Sequence, residues 1–454
     1  MGTMWFRLIP SAKRSASNIA IDRKHSHFPS PLSYAILRPF AARRYSHHTM
    51  TNHIKFLNNG GLTSVQGFQA GATFAGMKTY AEDKLDLGIV CSASPCTSAG
   101  VFTTSQVKSP STVLTQRHVL KGAVRAVVAN SGIANALVGV QGMKDAEEVA
   151  NLTSRQLGLA YEEVAVLSTG LIGVELPMAL IRGALPRIQV SPSGGDAFAS
   201  AIMTTDTHPK QAAVTYEHEG RTITIGGAAK GSGMIHPNMA TMLSVLTSDA
   251  AVEPGFLQQV IKYAADRSFN MISVDGDSST NDSVLILANG AAGGPTITEG
   301  TEEAVLFQEA VTQLSIYLAK EIVRDGEGAT KLFEVVIQGA RNDKEARMAA
   351  RTVASSSLVK TAVHGNDPNW GRIVAAVGRS GARVREERVS LYINDVCIME
   401  KGVPIPFFRD AIVLLMKSPD VSFRIDLHLG KGSATAWGCD LSEAYVTFNS
   451  AYTT

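Results

Sequence analysis

The sequence predicts a fold in which strands and helices alternate, α/β or α+β, and three observations carry that expectation. Short apolar runs stop at Gly, Ser or Asn, as strands entering loops do. Longer stretches repeat their apolar residues every three or four positions, as helices with one buried face do. Forty glycines supply many tight turns and close backbone approaches. At 454 residues the chain exceeds what one ordinary core supports, so two lobes or more are expected. No fixed repeat runs along it.

The elements follow in order. Residues 60–78 are punctuated by Gly61, Gly67, Gly71 and Gly76 and predict turns and short strands. Val124–Ala129 runs into Asn130-Ser131-Gly132 as a strand entering a loop. Lys144–Leu157 carries its acids early and apolar residues at Ala146, Val149, Ala150, Leu152 and Leu157, which predicts an amphipathic helix. Val164–Leu167 is a buried strand stopped by Ser168-Thr169-Gly170. Glu302–Val323 is the clearest helix, with Phe307, Val311, Leu314, Leu318 and Ile322 on one face and Asp325-Gly326 ending it. Strands return at Phe333–Ile337, Val389–Ile393 and Val421–Leu427.

Charge separates the N-terminus from the rest. Residues 1–50 hold eight Lys and Arg against Asp22 alone, while the whole chain carries only +2. The remainder is therefore net acidic, which argues against a nucleic-acid-binding body. An Arg- and Ser-rich, acid-poor start predicts a transit peptide over 1–45, ending near Arg43-Arg44, and residence in the mitochondrial matrix. No apolar run approaches the roughly 18 residues of a membrane span, so no membrane association is expected. Cys91, Cys96, Cys397 and Cys439 show neither CxxC pairing nor zinc-site spacing.

One segment concentrates chemistry: four glycines from Gly226 to Gly233, then Pro237, then Ala240-Thr241 opening the apolar run Met242–Leu246. The common glycine-rich motifs do not fit it or its neighbours. Gly430-Lys431-Gly432-Ser433 has Ile425 where a P-loop needs its first glycine. Gly231-Ser232-Gly233 lacks the spacing of a hydrolase elbow. The acidic cluster at Asp275–Ser279 has Ile286 where a calcium loop needs glutamate. A glycine-rich loop before a threonine is, by itself, better explained by a structural turn.

The run Lys230-Gly231-Ser232-Gly233-Met234-Ile235 followed by Met239-Ala240-Thr241-Met242-Leu243 resembles the self-cleavage site of the ornithine acetyltransferase family, the bifunctional acetyltransferases of arginine biosynthesis. Further matches keep family order: Ser168-Thr169-Gly170, Thr204–Thr207, Asp325–Lys331, His364–Arg372, Thr435–Asp440 and Asn449–Thr454. Ile133 departs from the family pattern, standing where an asparagine is common.

The resemblance implies a layered α/β sandwich of the self-cleaving acetyltransferase and aminopeptidase type, with two fragments sharing the core. It implies scission between Ala240 and Thr241, giving an alpha chain 46–240 and a beta chain 241–454 that begins with the nucleophile Thr241. The freed α-amine, with an ordinary pKa of about 7.7–8.0, would act as the base that a threonine hydroxyl needs. Such an amine fills the role that nearby His236 otherwise invites. Thr169 and Gly170 are cast as the oxyanion hole, and Thr207, Lys230, Thr241, Glu327, Asn449 and Thr454 as substrate contacts. The implied reaction moves acetyl from N-acetylornithine to glutamate, with acetyl-CoA as a second donor, no metal or other cofactor, and an α2β2 assembly. Two rivals remain at this stage: a self-cleaving aminopeptidase of the same fold, and a non-catalytic binding protein.

Overall fold

The computed structural model describes residues 53–78, 84–236 and 242–451, all within a unit that spans Met50–Thr454. Its centre is a pair of stacked sheets. A six-stranded sheet runs in the order Lys55–Phe56, Lys210–His218, Arg221–Lys230, Leu243–Ser248, Ser283–Ala288 and Thr97–Phe102. A four-stranded sheet runs Phe68–Thr73, Leu87–Ser92, Ala126–Asn130 and Val164–Ser168.

Alternation along each strand builds three apolar layers. Val90, Val127, Ala129, Ala165 and Leu167 of the smaller sheet meet Ala228, Leu243, Val245, Leu285 and Leu287 of the larger in the inner layer. Ile89, Val128, Val164 and Val166 point outward beneath helices Pro110–Val119, Gln141–Leu157 and Met178–Ala184. On the far side Val214, Ile225, Leu246, Val284 and Ile286 pack under helices Pro254–Ala265 and Glu302–Arg324. Helix, sheet, sheet, helix is the layered α/β arrangement expected. It also explains why the strands read as continuous apolar runs, since both faces of each sheet are covered.

A third, seven-stranded sheet follows in the order Ile272–Ser273, Gly432–Cys439, Leu332–Ala340, Asp420–Asp426, Ser390–Ile393, Val396–Glu400 and Val403–Pro404. Helix Asp343–Ala354 covers it with Ala346, Ala349, Ala350 and Val353.

The predicted elements appear with small shifts at their ends. The helix expected from residue 144 starts a turn earlier, at Gln141–Leu157, and the long helix is Glu302–Arg324. Its start is fixed by Thr301, whose side chain accepts from the Ala304 N–H, and by Glu302 and Glu303 in the positive first turn. Its end delivers Asp325 and Glu327 into a short loop before strand Leu332–Ala340. Among the described residues no helix is long and apolar enough to cross a membrane.

Candidate active site

Strand Arg221–Lys230 ends at Lys230, which pairs in antiparallel register with Leu243 at the start of the next strand. The Lys230 side chain is almost fully buried, and its ammonium donates to the Thr169 hydroxyl at 3.3 Å. Thr169 directly follows strand Val164–Ser168 of the other sheet. That hydrogen bond therefore crosses between the sheets and joins two residues distant in sequence. Because Thr169 Oγ1 accepts from Lys230, its own hydrogen is left to donate elsewhere. The Thr169 N–H is already given to the Asn130 carbonyl at 3.1 Å, so what Thr169 can offer an oxyanion is its hydroxyl.

Gly170 has φ of +127°, and a Cβ there would run into the backbone of Gly132 and Ile133. Only glycine lets the two loops touch. Asn281, buried and unmarked by sequence reasoning, holds them from below: its amide donates to the Ser168 carbonyl at 2.8 Å and the Ala134 carbonyl at 2.6 Å.

A second cluster lies behind Lys230. Lys210 is fully buried and places its ammonium 2.6 Å from both Asp206 and Asp325. Asp206 also accepts from the Gly231 N–H at 2.7 Å, which fixes the third glycine of the chemistry-bearing segment. Burial works against ionisation of Asp206, but Lys230, Lys210 and the Gly231 N–H outweigh it and hold its carboxyl well below the usual range. Burial also lowers the Lys230 pKa, with Asp206 opposing. Thr207 donates its N–H to Asp325 at 2.9 Å and its hydroxyl to the same carboxylate.

Glu327 forms the third part. Its N–H donates to the Ser232 carbonyl at 2.9 Å, and its carboxylate accepts from Thr205 Oγ1 at 2.7 Å and Asn449 Nδ2 at 2.9 Å. Gly233 leaves the room this carboxylate occupies. Asn449 sits on helix Glu443–Ala451, so the chain end up to that residue is tethered to the site. Thus Thr169, Lys230, Thr207, Glu327 and Asn449 all belong to one connected polar region, while Ala240, Thr241 and Thr454 lie outside the described residues.

His236, four residues before Ala240, is engaged by other partners. Its ring lies 3.1 Å from Ser273 Oγ, and burial with the nearby Arg351 charge pushes its pKa down to about 4. Among the described residues no group of His, Cys, Asp and Glu could hold a metal ion.

A family model for the ArgJ family matches residues 69–454. The chain belongs to the ArgJ family. It is 51% identical over 399 residues to the arginine biosynthesis bifunctional protein ArgJ of Symbiobacterium thermophilum, covering 87% of this chain and 99% of that one. The ArgJ of Dehalococcoides mccartyi is 46% identical over 405 residues, covering 89% and 100%. A crystal structure of ornithine acetyltransferase complexed with ornithine from Mycobacterium tuberculosis is 39% identical, covers 41% of this chain and 98% of its own, and gives a TM-score of 0.38.

These relatives also correct one expectation. Both curated ArgJ relatives come from bacteria, so residence in the mitochondrial matrix is not upheld. The interpretation of 1–45 as a mitochondrial leader loses its support with it, and that segment lies outside the described residues.

For an ArgJ-family chain, sequence reasoning missed three structural partners of its site: Lys210, Asp325 as a carboxylate ligand of Thr207, and Asn281. Lys210 carried a usable signal, being a lysine at the head of an alternating strand with Asp206 four residues before it. Asn281 carried none, because its partners are the Ala134 and Ser168 carbonyls, far off in sequence.

Proposed function

We propose that this chain is an acetyltransferase of arginine biosynthesis that transfers acetyl from N-acetylornithine to glutamate, releasing ornithine and forming N-acetylglutamate. Thr241 is the nucleophile. Its hydroxyl first attacks the Ala240 carbonyl, and hydrolysis of the resulting ester separates an alpha chain ending at Ala240 from a beta chain beginning at Thr241. The freed α-amine then serves as the base that draws the proton from the hydroxyl.

In the transfer, Thr241 Oγ attacks the acetyl carbonyl of N-acetylornithine, the carbon–nitrogen bond breaks, and ornithine leaves with the proton. Glutamate's amine then attacks the acetyl-threonine ester, and the threonine hydroxyl is restored. Thr169 Oγ1 and the Gly170 N–H receive the negative charge on the carbonyl oxygen. Lys230 meets a substrate carboxylate, Glu327 an ammonium, and Thr207, Asn449 and Thr454 complete the contacts. Acetyl-CoA serves as an alternative donor, no metal or other cofactor takes part, and two copies of each fragment assemble as α2β2.

The observation that carries this proposal is the Lys230–Thr169 hydrogen bond across the sheets, made by a lysine whose strand partner, Leu243, follows Thr241 by two residues in sequence. It sets a cation beside a hydroxyl whose hydrogen is available, which suits a developing oxyanion. The test is denaturing mass analysis of wild type beside Thr241→Ala, followed by ornithine release from N-acetylornithine. Two fragments meeting at Ala240/Thr241, and an intact chain in the variant, are expected. An uncut wild type that nevertheless transfers acetyl would overturn the mechanism.

A further inference from the structure

A second lysine stands beside the same loops. Residues 75–78 wrap around Asp86, whose carboxylate accepts from the N–H groups of Ala75, Gly76, Met77 and Lys78 at 2.6–3.2 Å. This turn is pressed against the oxyanion loop. A Cβ on Gly132 would come within 2.9 Å of the Lys78 nitrogen, and Gly132 in turn abuts Gly170. Lys78 is thus anchored by its backbone next to Thr169-Gly170, with its side chain half-buried.

Neither Lys78 nor Lys230 has a carboxylate partner among the described residues. The Lys78 ammonium donates to the Leu85 carbonyl at 3.1 Å, and that of Lys230 to the Thr169 hydroxyl. Asp86 accepts from four backbone amides and Asp206 from Lys210, Gly231 and Thr204, while Asp206, buried Asp282 and Glu327 act on Lys230 only through space. Burial pushes the Lys78 pKa down to about 8, and the like charge of Lys230 adds to the shift while Asp86 and Asp206 oppose it. Two mutually repelling, desolvated ammonium groups, neither in hydrogen-bond contact with a carboxylate, form a place that gains by taking up anions.

We propose that Lys78 and Lys230 together seat the two carboxylates of the acyl acceptor, making Lys78 the residue that selects a dicarboxylic amino acid. This rests on the acetyl exchange described above. The donor N-acetylornithine has one carboxylate, whereas glutamate has two, so a second cation matters only to the acceptor half of the cycle. A charge-assisted hydrogen bond contributes on the order of ten- to a hundredfold in binding.

The experiment compares full-length wild type, Lys78→Met and Lys78→Arg, each first checked for cleavage by intact mass. Ornithine release without acceptor reports the donor half. Acetyl transfer to glutamate and to glutamine, its neutral analogue, reports the acceptor half. Lys78→Met is expected to raise the glutamate KM at least about tenfold more than it slows ornithine release, and to erase the preference for glutamate over glutamine. Lys78→Arg should keep that preference. Equal loss in both halves, an unchanged glutamate-to-glutamine ratio in Lys78→Met, or a lost preference in a cleaved Lys78→Arg would each overturn the assignment. Wild type that neither releases ornithine nor acetylates glutamate would instead sink the acetyl exchange itself, and Lys78's role with it.

Discussion

Replacing Lys210 by methionine tests the buried charge cluster directly. Lys210 Nζ lies 2.6 Å from Asp206 and 2.6 Å from Asp325, with all three side chains almost completely shielded from water. Methionine fills similar space but leaves two carboxylates facing a thioether. Removing one partner of a buried ion pair costs about 3–5 kcal/mol. With an unfolding entropy of about 2.1 cal/mol/K per residue, the unit Met50–Thr454 has roughly 0.8 kcal/mol/K, so Tm should fall by roughly 4–6 °C near pH 7. The pH dependence has a definite sign. The Asp206 carboxyl is held below its ordinary value, so it contributes stability that is present above its unfolded pKa of about 3.9 and lost as pH falls through the folded value. Without Lys210 that carboxyl rises, and mild acid protonates it in the variant before the wild type. The difference in Tm should therefore narrow as pH is lowered. Scanning calorimetry at neutral and mildly acidic pH makes the measurement. An unchanged Tm at neutral pH, or a gap that widens on acidification, would refute the electrostatic account.

Three further outcomes are expected. Thr169→Val removes the hydroxyl that Lys230 orients and should lower kcat on the order of 100–1,000-fold, with Thr169→Ser retaining most activity; near-normal steady-state rates in the valine variant would remove Thr169 from the oxyanion hole. If the freed amine of Thr241 is the base, kcat/KM should rise with pH through about 7.7–8.0 as that amine loses its proton, and a flat profile across that range would count against it. Burial pushes the Cys96 thiol up to about 11 and raises Cys91 and Cys439 as well, whereas Cys397 is only half-buried. Alkylation of the native protein followed by mass analysis should therefore modify Cys397 first and the other three only on unfolding, and rapid labelling of all four would contradict the buried positions.

Much of the fold was legible because its signals are local. Helix Glu302–Arg324 announces itself through its apolar spacing and the Asp325-Gly326 that ends it. Strand Val164–Ser168 shows as an apolar run closed by Thr169-Gly170, since both of its faces are covered. Strand order was not legible. Thr97–Phe102 and Ser283–Ala288 pair antiparallel along six residues, yet nothing in either segment names the other. Register between distant strands depends on how whole layers stack. The site divides the same way. Thr169, Gly170, Lys230, Thr207, Glu327 and Asn449 were found through family motifs, and the structure brings them into one polar region. Chemistry of isolated residues would have left Glu327 as a solvated loop acid and Thr169-Gly170 as a plain turn.

The glycine-rich segment shows why a motif can be recognised without being understood. Gly231 has φ of +147° and gives its N–H to Asp206. Gly233 is small because the Glu327 carboxylate occupies the space a Cβ would need. Just beyond, the N–H groups of Met234 and Ile235 donate to Asp275 at 2.6 and 2.9 Å. These three carboxylates come from separate loops: one after helix Gly195–Ala201, one after Glu302–Arg324, one after strand Ile272–Ser273. The path of residues 231–235 toward the Ala240–Thr241 bond is therefore set by tertiary partners, not by the segment's own preferences. A glycine that tolerates positive φ and a glycine that makes room for a neighbour look identical in sequence. Substituting alanine separates them: at Gly231 it strains the backbone, whereas at Gly233 it displaces Glu327 and, through it, the Asn449 tether.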